Sequence, residues 1–184
     1  MKLTETERLI IRNWEDRDRD LFHEINSDDT VMAFFAMRRT RSESDELFDM
    51  IRTMIAETGY GFPAVELKEN GEVIGFTGLN KDYSADIKPD GTPEIGWRMT
   101  TRHWGKGYAT EAARAMIALA FDERGHDQLV SFAVADNHRS TAVMERLGME
   151  RDLEGDFDHP SIPDSHPHLK RHVLYRLHKA DWQG

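Results

Sequence analysis

Apolar positions along the chain alternate between the two periods of regular structure. Thr6 to Arg12 reads as a first strand, with Leu9, Ile10 and Ile11 as its apolar run. After polar Glu15 and Asp16, Leu21, Phe22 and Ile25 recur at helical spacing. A longer helix is predicted from Ser42 to Glu57, because Leu47, Met50, Ile51, Met54 and Ile55 fall on one stripe. Ser42 with Asp45 three residues on resembles an N-terminal cap, and Gly59 and Gly61 end the helix. Two β-rich runs follow, Phe62 to Leu67 and Val73 to Leu79. The Asn70-Gly71 pair between them predicts a hairpin. Asp82 to Thr92 reads as a polar loop.

The second half changes pattern. Pro93 to Met99 is a predicted strand, and Tyr108 to Glu123 a predicted helix with Ala109, Ala112, Ala113, Met116 and Ala120 on one face. Small side chains there suit close packing on a sheet. Gln128 to Val134 reads as a buried strand, and Arg139 to Leu147 as a short helix stopped by Gly148. Met149 to Leu153 and His172 to Leu177 close the chain as strands. A meander, then β-α-β, then α-β-β predicts an α/β fold with a mixed sheet and helices on its faces. At 184 residues the chain suits a single domain, 1–184.

Between the central strand and its helix lies Arg102-His103-Trp104-Gly105-Lys106-Gly107-Tyr108-Ala109-Thr110. A helix start carries unpaired N–H groups and partial positive charge, so a glycine turn leading into one makes an anion site. Gly105 and Gly107 let backbone approach a phosphate. Arg98, Arg102 and Lys106 add charge, and no acid occurs between Arg98 and Thr110 in a chain of net charge −10. A Walker A loop is absent. The dinucleotide fingerprint fails at Thr110, where Gly or Ala is required. The pattern Arg/Gln-x-x-Gly-x-Gly/Ala is met by Arg102, Gly105 and Gly107. On the hexapeptide alone, a plain connecting turn reads equally well.

Composition narrows the field. There are no cysteines, which excludes disulfides, thiolate metal sites and a cysteine nucleophile, and fits a cytoplasmic protein. No apolar run is long enough to cross a bilayer, and Met1-Lys2-Leu3-Thr4-Glu5 is not the start of a signal peptide. The acidity argues against nucleic acid as a partner and is compatible with a cationic substrate.

Further motifs flank the turn: Thr6 to Arg12 at the start, Glu94-Ile95-Gly96-Trp97 on the central strand, Trp104 to Ala112, and Asn137-His138-Arg139-Ser140 through Glu145-Arg146-Leu147-Gly148. With these the chain resembles the GNAT acetyltransferases, most closely the RimJ/RimL ribosomal-protein N-terminal acetyltransferase branch, over nearly its whole length. The resemblance implies a curved, mixed sheet of about seven strands with about four helices, and acetyl-CoA as co-substrate.

It also implies site residues. Backbone N–H groups of His103, Trp104, Gly105, Lys106, Gly107 and Tyr108, with Arg102, Ala109 and the Thr110 hydroxyl, would hold the pyrophosphate. The backbone of Met99 and Thr100 would pair with the pantetheine arm. Asn137, Arg139 and Ser140 would lie near pantetheine and thiol. Family members transfer acetyl directly to an amine through a tetrahedral intermediate. A backbone N–H near Met99 would serve the oxyanion. Where many members carry a leaving-group tyrosine, this chain has Met144, so Ser140 becomes the proton donor, unless it only bonds its own helix terminus.

Glu94 is the first choice of base, with a raised pKa if buried. The alternative is a structural carboxylate pairing with Arg98 on the same strand face. Glu66, His172 or water alone are further candidates. Glu66, Asp156, Asp158 and His172 would border the acceptor groove.

The remaining features read plainly. Five of nine histidines lie from His159 to His178. His166, His168 and His172 can be drawn as a metal site, but the composition is that of a surface loop and no metal is expected. Trp97 and Trp104 read as packing residues. Arg38, Arg39 and Arg41 form a basic cluster, a solvated loop that would also attract an acidic acceptor. The expected reaction is N-acetylation of a protein or peptide N-terminus. A small amine (amino acid, polyamine or drug) is the runner-up, and a non-catalytic acyl-CoA binder or a nucleotide-binding regulator are rivals. The family makes a homodimer an option.

Overall fold

The computed structural model describes residues 1–81 and 92–184; of the polar loop expected over 82–92, only Thr92 falls among them. Strands β1 (Lys2–Glu5) and β2 (Leu9–Arg12) replace the single strand expected from Thr6. Thr6 to Arg8 make the turn between them: the Thr6 N–H donates to the Leu9 carbonyl at 2.9 Å, and the Leu9 N–H to Thr6 Oγ1 at 3.0 Å. Helices α1 (Arg19–Ser27) and α2 (Arg41–Thr58) follow. The α2 cap is Thr40, whose Oγ1 accepts from the Glu43 N–H while the Glu43 carboxylate accepts from the Thr40 N–H at 2.8 Å. Thr40 is the last residue with extended backbone, so the cap lies two residues before the expected Ser42. Gly59, at φ 74°, ends the helix.

Strands β3 (Ala64–Leu67) and β4 (Val73–Asn80) form the hairpin that Asn70-Gly71 signals. Then come β5 (Glu94–Met99), α3 (Tyr108–Ala118), β6 (Gln128–Val134), α4 (His138–Arg146), β7 (Glu150–Asp158) and β8 (Arg171–His178). The helix expected to run to Glu123 widens into a π turn at Leu119–Glu123. The eight strands lie in the order β1-β2-β3-β4-β5-β6-β8-β7. Every neighbouring pair is antiparallel except β5 and β6, which run parallel and share only the pair Glu94↔Val130. Beyond that pair the two strands splay.

Each sheet face has its own core. α3 and α4 pack against Leu9, Ile11, Val65, Ile95, Met99, Leu129 and Tyr175 through Ala112, Ala113, Met116 and Met144. The alanines bring helix and sheet backbones close, as their size suggested. On the other face α1 and α2 cover Ala64, Val73 and Phe76 through a cluster of Trp14, Phe22 and Phe48, with Trp14 and Phe22 edge-on at 4.9 Å. Strand alternation therefore divides β5: Ile95, Trp97 and Met99 face α3, whereas Glu94, Gly96 and Arg98 face the α1/α2 side. Met144 is fully buried.

Candidate active site

The turn from β5 to α3 is built as an open cradle. Gly105 and Gly107 take φ 76° and 81°, the left-handed region, and both are exposed. Gly107 is the α3 N-cap and has no side chain to satisfy the helix terminus. Among the described residues, nothing accepts the N–H groups of Gly105, Lys106, Gly107, Tyr108, Ala109 and Thr110. Six unpaired donors at a helix N-terminus fit a diphosphate. The cradle starts two residues later than expected. The His103 and Trp104 N–H groups already donate to the Thr100 and Thr101 carbonyls at 3.0 and 3.1 Å, closing a 3-10 turn.

The charges around the turn also differ from the expectation. Arg102 is held by Glu24 and, at 3.4 Å, by Glu72, which raise its pKa and largely cancel its charge. Arg98 points to the other sheet face. Lys106 alone of the three remains beside the cradle without an ion pair among the described residues. His103 is buried against Thr100 Oγ1 at 2.8 Å, and burial lowers its pKa, so it is neutral at pH 7. The sequence marks Arg8 only as part of the Thr6 to Arg12 start and not as a site residue. It lies 4.6 Å over the Tyr108 ring, donates to the Lys106 carbonyl at 3.2 Å and pairs with Glu111 at 2.5 Å. It thereby pins the cradle to the β1–β2 turn.

At the splay, the pairing alternation turns the Trp97 and Met99 backbone groups away from β4, toward the gap beside β6. The Met99 carbonyl accepts from Trp104 Nε1 at 2.8 Å, which leaves the Met99 N–H as the edge donor. Thr100 does not share this role. Its N–H donates to the Ile74 carbonyl at 3.0 Å and its hydroxyl faces Ile74 and His103, so it belongs to the β4 ladder.

Across the gap, Asn137 caps α4, its Oδ1 accepting from the Ser140 N–H at 3.3 Å. The helix terminus is thus satisfied by Asn137, and the half-buried Ser140 hydroxyl has no hydrogen bond among the described residues. The Arg139 guanidinium sits 4.3 Å over the Trp104 ring and ties α4 to the cradle.

Glu94 stands at the last paired position before the splay. Burial pushes its pKa up to about 8. It does not pair with Arg98, whose Nη1 donates to Asn26 Oδ1 at 2.8 Å instead. The structural-carboxylate alternative therefore lapses. Glu66 lapses as a base for the opposite reason. It is locked to the buried Arg12 at 2.7 Å and to Arg17 at 2.9 Å, with Asp18 completing the network at 2.7 Å.

His172 is buried and its pKa is lowered by desolvation; Nδ1 lies 2.9 Å from the Lys170 carbonyl, and its ring stacks on Phe157 at 5.6 Å. With Phe132 and His159 these rings form a cluster on the β6–β8–β7 end of the sheet. Asp156 is engaged by Arg151 at 2.6 Å, whereas Asp158 is exposed and reaches Arg171 only at 3.5 Å. Among the described residues no three His, Asp or Glu side chains converge as a metal site, and no helix is long and apolar enough to cross a membrane.

Residues 8–150 match the family model described as an acetyltransferase (GNAT) domain. The chain is 33% identical over 147 residues to YkkB, an uncharacterized protein of Bacillus subtilis (strain 168), covering 78% of this chain and 83% of that one. Its fold is similar to a GNAT-family acetyltransferase from Bacillus anthracis, with TM-score 0.79 and 26% identity over 98% of this chain and 99% of the other. It is also similar in fold to RimL, a ribosomal L7/L12 α-N-protein acetyltransferase solved in complex with coenzyme A. That match has TM-score 0.74 and 12% identity over 97% of this chain and 98% of RimL.

Proposed function

The chain belongs to the GNAT acetyltransferases of RimJ/RimL type and is an acetyl-CoA-dependent N-acetyltransferase; from that premise we propose that its acceptor is the N-terminal amine of a protein or peptide, with Glu94 as base and Ser140 as leaving-group donor. Acetyl-CoA supplies the activated acetyl thioester. The six unpaired N–H groups from Gly105 to Thr110 would hold its diphosphate. The Met99 N–H at the splayed edge would polarise the acetyl carbonyl. Ser140 Oγ, free of capping duty, would donate to the departing sulfur.

One observation carries the acceptor class. Burial pushes the Glu94 carboxyl from the ordinary 4.5 up to about 8. A backbone α-amine has a pKa of about 7.7–8.0, whereas a lysine or polyamine ammonium lies near about 10.4. Proton transfer from an α-ammonium to Glu94 is close to thermoneutral; from a side-chain ammonium it is uphill by roughly two pH units. The absence of cysteine fits direct transfer with no thiol carrier.

The test is a peptide panel incubated with acetyl-CoA and read by mass spectrometry. Peptides with a free N-terminus and no lysine should gain an acetyl group. N-terminally blocked lysine peptides and polyamines should gain it far more slowly. Acetylation confined to the latter two would reverse the assignment.

A further inference from the structure

Arginines in the half of the molecule covered by α1 and α2 are almost all neutralised. Arg12, Arg17, Arg19, Arg38, Arg41 and Arg52 each hold a carboxylate. Arg98 and Arg39 are the exceptions. Arg98 donates to Asn26 Oδ1 at 2.8 Å, and its guanidinium lies 4.2 Å over Phe35 and 5.1 Å from Phe76; no carboxylate of the described residues pairs with it. Arg39 meets the same asparagine through its backbone, its N–H donating to the Asn26 carbonyl at 3.0 Å. Its side chain has no ion pair or hydrogen bond among the described residues. Burial and the Arg39 charge together lower the Arg98 pKa to about 10.

Bringing two guanidinium groups together without a counter-ion is costly, since arginine stays charged. The chain has ten more acids than lysines and arginines, yet among the described residues none pairs with Arg98, and of the acids Arg39 feels only the unpaired, through-space charge of Glu43. The site faces away from α3 and its phosphate cradle. It shares a strand face with Glu94, four residues earlier, at a Cα separation of ~13 Å by strand rise. Both side chains keep intermediate exposure although burial shifts their pKa.

We propose that Arg98 and Arg39 form an anion subsite in the acceptor groove, which takes a carboxylate of the acceptor while its amine lies toward Glu94. Guanidinium forks match a carboxylate bidentately, and the exposed Phe35 ring flanks the position. The span limits the carboxylate to within about three or four extended residues of the amine. It is either an acidic side chain near the N-terminus of a longer chain or the terminal carboxylate of a very short one. The inference rests on the acetyl-transfer reading only in calling the ligand an acceptor.

Two peptide pairs distinguish the sources. One is Ser-Glu-Ala-amide against Ser-Gln-Ala-amide; the other is Ser-Ala against Ser-Ala-amide. Binding is measured by calorimetry with CoA present, and turnover separately. The acid should bind at least about tenfold more tightly than its amide in one pair, and that pair names the source. Arg98→Gln and, separately, Arg39→Gln should bring the ratio toward one while the acetyl-CoA melting shift persists. Should Arg98→Gln fail to fold, Arg39→Gln decides. Equal binding of acid and amide in both pairs, or a ratio that survives substitution, overturns the subsite. An acid that binds selectively but is never acetylated leaves the subsite standing and removes the acceptor reading. Acetylation without preference does the reverse.

Discussion

The Arg139 guanidinium lies 4.3 Å above the Trp104 ring, whose indole N–H in turn donates to the Met99 carbonyl at 2.8 Å. The end of β5, the glycine turn five residues on and the distant start of α4 are joined through one side chain. Trp104 is thus more than packing. It fixes the cradle relative to the splay and to Ser140.

Removing that link should loosen cofactor binding more than folding. An exposed cation–π contact contributes roughly 0.5–1 kcal/mol, so Arg139→Ala should weaken acetyl-CoA binding about two- to fivefold by calorimetry. Trp104→Phe keeps a ring but frees the Met99 carbonyl, and should raise KM for acetyl-CoA further. Unchanged binding in both variants would mean that α4 and the turn are positioned independently.

Gly107 tests the cradle itself. A Cβ there would meet only Arg8 Nη2, at 3.6 Å, so space is not the obstacle; the obstacle is φ 81°. An L-residue held in the left-handed region costs about 1–2 kcal/mol, and a β-branched one tolerates it least. Gly107→Val should therefore abolish the acetyl-CoA-dependent rise in Tm and leave a cooperatively folded protein. That rise corresponds to roughly 2.7 kcal/mol at a hundredfold over Kd. Lys106→Ala should be milder, because backbone donors make most of the contact. A valine variant with a normal ligand shift would place the phosphate elsewhere.

The boundaries of these elements were legible because glycine and Asn-Gly punctuate the chain locally: Gly59, Gly71, Gly107 and Gly148 all take positive φ where the sequence stops or turns. Charge pairing was not legible. The stretch from Arg98 to Thr110 has no acid in sequence, yet Glu24 and Glu72 reach Arg102 from 78 and 30 residues away. Glu66 reads as a free carboxylate until β2 and the turn after it bring Arg12 and Arg17 against it. The Thr6-Glu7-Arg8 start stands out as a motif, but that Arg8 and Glu111 pin the cradle depends on contacts across 103 residues. Only Asn137 and Ser140, three apart at one helix start, carried their relation in the local spacing.

Ser140 separates chemistry from folding. Asn137 already caps α4, so removing the serine hydroxyl costs the helix little. Ser140→Ala should leave Tm and acetyl-CoA affinity nearly unchanged and lower kcat by about 10²-fold, the range for loss of a transition-state proton donor. Equal losses in kcat and affinity would make it a binding residue; full activity would assign the proton to water.

Glu94 gives the sharpest test, because its raised pKa reverses a simple expectation. A base is most needed at low pH, where the amine is protonated, and the sequence alone suggests that Glu94→Gln fails most there. With its carboxyl titrating at about 8, Glu94 is itself protonated at low pH and cannot accept. The defect should instead be largest above pH 8 and below the pKa of the acceptor amine. A slow acceptor with an amine pKa near about 10 opens that window. With it, wild-type kcat/KM should rise through pH 8, whereas the Glu94→Gln profile should rise only near 10. Stability carries an independent sign. A carboxyl raised from 4.5 to about 8 binds its proton more tightly in the folded state. Its contribution is present in full below pH 4.5 and is lost as pH rises to about 8. Glu94→Gln should therefore be more stable than wild type at pH 9, with the gain vanishing at pH 4. Superimposable rate profiles would remove Glu94 as the base even if the stability difference appears as described, because burial alone produces the second effect and only proton transfer produces the first.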